Sequence, residues 1–126
     1  MRLVARFEVR SGGEVDLPED ARNWVTALRW DKSFVEGVTG RATTLFWHSG
    51  PAGARSYVAV ERIEGCLDDG RAGTLIVHHA GTESDVETHY GIVVDGGGDF
   101  AGWTGRARLR HDERGAYFEF DLVEPG

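Results

Sequence analysis

The chain of 126 residues has one cysteine, Cys66, so no disulfide can form within it, which fits a reducing compartment. No apolar run approaches the roughly eighteen residues of a membrane-spanning helix. The first ten residues alternate apolar and charged side chains, where a secretory signal needs a basic start followed by an apolar block. Basic residues are outnumbered too: 14 Lys and Arg against 21 Asp and Glu leave a net charge of -7. That argues against nucleic acid or an anionic membrane as partner, since both demand a basic surface. The expectation is a soluble, cytoplasmic protein. Chemical signatures are missing as well. There is no P-loop, no nucleophile elbow and no usable Ser/His/Asp order. No spacing matches a zinc or iron site, so neither metal nor cofactor is expected.

Proline is scarce (three) and glycine abundant (18), a balance that suits tight turns between strands. The strands themselves are legible. Leu3, Ala5, Phe7 and Val9 alternate with Arg6, Glu8 and Arg10, which predicts a half-buried first strand ended by Ser11-Gly12-Gly13. A second runs from Asn23 to Glu36 with Trp24, Thr26, Leu28 and Trp30 on one face, and a bulge is expected at Asp31-Lys32, where the alternation slips. Gly37 and Gly40 frame a turn. Arg41 to His48 is a third strand, apolar on both faces, so its inside is not assignable. Ser56–Gly65 and Ala72–Gly81 form a hairpin around Asp68-Asp69-Gly70.

Val86 to Val94 is a sixth strand, with Tyr90 and Ile92 opposite His89, Gly91 and Val93, and Asp95 to Asp99 reads as a flexible turn. In the seventh, Trp103, Gly105, Ala107 and Leu109 point in, while Arg106, Arg108 and Arg110 cover the solvent face. The eighth buries Phe118, Phe120 and Leu122. One domain over residues 1–126 follows, all-β, with eight antiparallel strands and no convincing helix. An up-and-down barrel is favoured over a β-sandwich, because closure removes exposed edges and eight strands just enclose side chains or one small ligand.

Three segments in order carry a family resemblance: Tyr57-x-x-x-Glu61-Arg62-x-x-Gly65, then Gly73 leading to His79-x-Gly81, then Phe100-Ala101-Gly102-Trp103-x-Gly105. From about Leu3 to Leu122 the chain resembles the bacterial domain-of-unknown-function family 3224, whose fold is similar to the allene oxide cyclase barrel and so lipocalin-like. Two departures stand out: Gly37 where the family usually has aspartate, and a shortened turn at Asp95 to Asp99. The resemblance implies a barrel with an interior cavity and a small, largely apolar or amphipathic ligand. It carries no known activity.

The inward direction of Tyr57, Ala59, Glu61 and Ile63 rests partly on that resemblance, since neither face of their strand is cleanly apolar. His79 shares a face with Leu75 and Val77, so it should point where Glu61 points, and His78 the opposite way. A carboxylate inside an apolar barrel must be paired or neutralised, and burial raises its pKa toward the range of a general acid or base. Glu61 and His79 are therefore the candidate catalytic pair. The alternative reading makes them an interior salt bridge and a satisfied core histidine. Trp30, Tyr57, Tyr90 and Trp103 are the candidate ligand-binding aromatics, with core filling as the alternative. Three functions remain in play. One is a barrel binding a small apolar ligand; another is a cofactor-free cyclase or isomerase of an unsaturated or epoxide metabolite. The last is a structural module with a filled core, and a homo-oligomer is compatible with each.

Overall fold

The computed structural model describes the backbone of all 126 residues and the side chains of all but Val86 and Glu87. Eight strands follow one another: β1 (Arg2–Glu14), β2 (Thr26–Glu36), β3 (Val38–Ser49), β4 (Ser56–Leu67), β5 (Ala72–Thr82), β6 (Asp85–Gly98), β7 (Thr104–Asp112) and β8 (Gly115–Val123). A single 3-10 turn at Glu19–Ala21 lies between β1 and β2. Each strand pairs antiparallel with the next, and β8 returns to pair with β1, from Arg2 opposite Asp121 to Arg6 opposite Tyr117. The sheet is therefore a closed barrel, which decides between barrel and sandwich. The turns after β1, β3, β5 and β7 lie at one end, here the upper end. The remaining turns and both termini lie at the lower end.

Paired residues on adjacent strands share a face, and burial shows which face is inside. One row runs Trp30, Thr44, Glu61, Val77 and Val93 around the barrel. Below it Phe34 and its partner Phe7 cluster with Phe118 of β8, which pairs with Ala5; the ring centres stand 5.4 Å apart from Phe7 to Phe34 and 5.4 Å from Phe7 to Phe118. Phe120, Ile63, Leu75, Ala107 and Leu122 complete a filled lower core. Alternation along each strand puts these residues in and the charged ones out, with Lys32 and Glu61 as inward exceptions.

Several boundaries differ from the sequence expectation. Ser11-Gly12-Gly13 does not end β1, which continues to Glu14 opposite Leu28. A Cβ on Gly12 would lie 2.7 Å from Cδ1 of Trp30, so this glycine seats an indole rather than making a turn. The segment Asp95 to Gly98 is likewise strand, paired with Ile76 to Gly73 after a register shift at Val94. The second turn needs only Gly37, whose φ of +84° and approach to the Val4 carbonyl exclude a side chain. Gly40 is already inside β3, opposite Phe34. The bulge expected at Asp31-Lys32 belongs instead to β1, where Arg10 is skipped between Val9 and Ser11. The β2–β3 ladder runs through Asp31 and Lys32 without a break. What looked like a slip in alternation is an inward lysine.

Candidate functional site

Glu61 is completely buried in mid-β4, and its Oε1 accepts two hydrogen bonds. One comes from the Lys32 ammonium on β2 at 2.8 Å, the other from Nε2 of His79 on β5 at 2.9 Å. Nδ1 of His79 lies 3.0 Å from the Tyr57 hydroxyl. Four side chains from three strands thus form one chain, from Lys32 in the core to half-buried Tyr57 toward the upper end. Lys32 has a second kind of partner: its ammonium sits 4.2 Å from the centre of the Phe7 ring and 5.5 Å from that of Phe118, within cation–π range. Phe118 also meets the His79 ring edge-on at 5.3 Å.

Burial on its own would push the Glu61 carboxyl up. The Lys32 charge and the hydrogen bond from His79 outweigh it and hold Glu61 below its ordinary 4.5. An ionised carboxylate only accepts, so Nε2 of His79 carries a proton. In the neutral imidazole this leaves Nδ1 as acceptor for the Tyr57 hydroxyl. That hydroxyl is held protonated, first by burial and then by the Glu61 charge, both of which raise it above its ordinary 10.0. The resulting chain orients every member. The sequence expectation of a carboxyl raised toward neutrality is corrected here, because it did not include the lysine.

Two buried atoms beside this chain have no hydrogen-bond partner among the described residues: Oε2 of Glu61 and Oγ1 of Thr44. Thr44 is the β3 partner of Glu61 and is itself buried. The same row ends at Trp30, which is 38% exposed although its face is the inner one. Val9, opposite Lys32, is 47% exposed. Toward this upper end the aromatic rings stand close together: Trp30 edge-on to Phe46 at 4.7 Å, Phe46 to Tyr57 at 6.3 Å, and Tyr57 to His89 at 5.9 Å.

Of the candidate residues, the structure brings together Glu61, His79, Tyr57 and Trp30. It separates the other two. Tyr90 lies on the outer wall, 48% exposed, beside Arg108. Trp103 is buried at the lower end against Phe100 and Arg71. The arginine row is also on the outer wall, with Arg106 opposite Asp121 and Arg110 3.6 Å from Glu119, so acids match it. His78 faces solvent. Lys32 and Thr44 were missed. Lys32 stands in phase with Leu28, Trp30 and Phe34, which is the signal that would have found it. Thr44 lies on the strand whose inside was unassignable, because Leu45 and Trp47 place apolar side chains on its outer face.

Fold and site together define an eight-stranded antiparallel barrel with a charged hydrogen-bonded chain in its interior. The chain matches the family described as "Protein of unknown function (DUF3224)" over residues 3–122, and it belongs to that family. A crystal structure of a DUF3224 protein of unknown function from Shewanella oneidensis superposes with a TM-score of 0.80 at 19% identity, covering 100% of this chain and 98% of that one. At that identity the likeness speaks for the fold alone. No functionally curated protein matches the sequence. Among the described residues, no helix is long and apolar enough to cross a membrane.

Proposed function

We propose that the barrel binds a small amphipathic molecule through its upper opening. Its apolar body would lie against Trp30, Phe46 and Tyr57, and one polar group would reach Glu61. The observation that carries this reading is the division of labour on the buried carboxylate: Oε1 takes both Lys32 and His79, while Oε2 takes neither. A carboxylate serving only to pin strands would spread its donors over both oxygens, because an unpaired buried acceptor costs roughly 1–3 kcal/mol. The exposed inner-face positions at Trp30 and Val9 supply the way in.

The acid–base alternative, a cofactor-free cyclase or isomerase using Glu61 and His79, draws support from the continuous chain to Tyr57. It draws less from the charge state. A carboxylate held ionised by a buried lysine is a weak base at neutral pH and cannot act as an acid there.

Binding is tested by thermal shift with polyene, epoxide and oxylipin-like compounds. A ligand present at a hundred times its Kd should raise the unfolding temperature by something on the order of 10 °C. Trp30→Ala and Glu61→Gln should each weaken the response at least tenfold in ligand concentration. If no compound shifts wild type, or if both variants respond as wild type does, the site is not at this opening. Turnover of any of these compounds, abolished by His79→Ala, would favour the isomerase instead.

A further inference from the structure

Oε2 of Glu61 and Oγ1 of Thr44 belong to directly opposed residues of β4 and β3, both facing the interior and both fully buried. Opposed side chains on neighbouring strands have Cβ atoms about 4.5–5.5 Å apart, so a single polar atom can meet both. The two atoms differ in what they need. The carboxylate oxygen can only accept, whereas the threonine hydroxyl can donate. A bound group complementary to the pair therefore donates to one and accepts from the other.

We infer that the polar group recognised in this barrel is a neutral hydroxyl, clamped between Glu61 and Thr44, so that Thr44 determines ligand specificity; this rests on the binding reading above. An alcohol oxygen meets both requirements with one atom: its O–H donates to Oε2, and its lone pair accepts from Oγ1. Ethers, ketones and carboxylates bring only acceptors and face Oε2 with repulsion. An ammonium meets a different obstacle. Glu61 is already neutralised by Lys32 at 2.8 Å, so a second cation would add uncompensated charge beside the buried rings of Phe7, Phe34 and Phe118, which desolvation penalises. The row order gives the ligand its pose. Trp30 is the cross-strand partner of Thr44, so an apolar body resting on the indole at the opening sets its hydroxyl one strand further in.

Four probes of one shape decide the matter: 2-naphthalenemethanol, its methyl ether, 2-methylnaphthalene and 2-naphthylmethylamine. Each is titrated calorimetrically into wild type, Thr44→Val and Thr44→Ser, with unfolding temperature as the check on folding. Valine keeps the shape of threonine and removes an unpartnered hydroxyl, so that variant should fold. In wild type the alcohol should bind at least tenfold more tightly than the other three, the worth of one hydrogen bond to a charged acceptor. Thr44→Val should lose most of that preference and Thr44→Ser should keep it. Equal affinity for alcohol and ether overturns the inference and leaves the binding reading standing, as does a preference unchanged in Thr44→Val. A crystal structure with an ordered water bridging the two atoms and the alcohol bound elsewhere also overturns it. If none of the four binds to wild type, the binding reading for these ligands falls, and this inference with it.

Discussion

Lys32 and Glu61 are each stable inside the barrel only because the other is there. The ammonium has a carboxylate at 2.8 Å and an aromatic face at 4.2 Å, and the carboxylate has two cationic or polar donors on one oxygen. Removing one member of such a buried pair leaves the other uncompensated, at a cost of about 3–5 kcal/mol, whereas removing both can be nearly neutral. Lys32→Met and Glu61→Gln should therefore each be severely destabilising. The double variant should recover at least about 2 kcal/mol of the summed loss, measured by urea unfolding as a double-mutant cycle. Additive losses would mean that the two residues act independently, and the hydrogen-bonded chain would then have no energetic reality. His79 is placed differently: it bridges rather than balances, so its loss costs hydrogen bonds and not a charge.

Closure depends on a second ionic cluster, on the outer side of the β1–β8 junction. The Arg6 guanidinium, nearly covered, donates to both carboxylate oxygens of Asp112 at 2.9 and 2.8 Å and to the Gly115 carbonyl at 3.3 Å. It lies 3.8 Å from Glu36 and 5.0 Å from the centre of the Tyr117 ring. One side chain of β1 thereby ties together β2, β7 and β8. Arg6→Lys keeps the charge but loses the paired donation, so it should lower the unfolding temperature noticeably and Arg6→Ala should lower it further. Equal melting of wild type and Arg6→Ala would show that backbone pairing alone closes the barrel. None of this bridging was readable from the alternation of β1, which places Arg6 outside and says nothing of what covers it. The alternation did reveal the eight strands and the inward direction of His79, since a period of two survives any register. That of Glu61 rests partly on the family resemblance, because Val58 and Val60 make the other face of its strand apolar as well. Glycines misled it, because in a small coiled barrel they accommodate close backbone and ring contacts within strands, as at Gly12, as well as making turns. Lys32 escaped because it is polar at a position in phase with Leu28, Trp30 and Phe34, where pattern expects an apolar residue. Thr44 escaped because its strand is apolar on both faces, so that its register opposite Glu61 is what places it inside.

At the scale of the whole molecule these groups shape the stability against pH from both sides. Glu61 and Asp112 both titrate below their ordinary values, 4.5 and 3.8, the first through Lys32 and His79 against its burial, the second chiefly through the Arg6 hydrogen bond. A depressed carboxyl adds stability that is complete above its unfolded value and is lost as pH falls through the folded one. The acid limb should therefore begin near pH 4.5 and steepen below it. On the alkaline side Tyr57 works in the opposite sense. Its folded value is raised, so its contribution is intact below the ordinary 10.0 and drains away above it, where the unfolded chain ionises and the folded one resists. Other groups that ionise at high pH add their own changes, so the informative quantity is the difference between wild type and Tyr57→Phe. That variant loses the hydroxyl to His79 and should be less stable at neutral pH by about 1–2 kcal/mol. Above pH 10 the gap should narrow, because phenylalanine has nothing to ionise. Unfolding by urea from pH 7 to 11 measures both curves. A gap that stays constant across that range would mean that the Tyr57 hydroxyl titrates as in the unfolded chain, and that water enters the upper opening as far as His79.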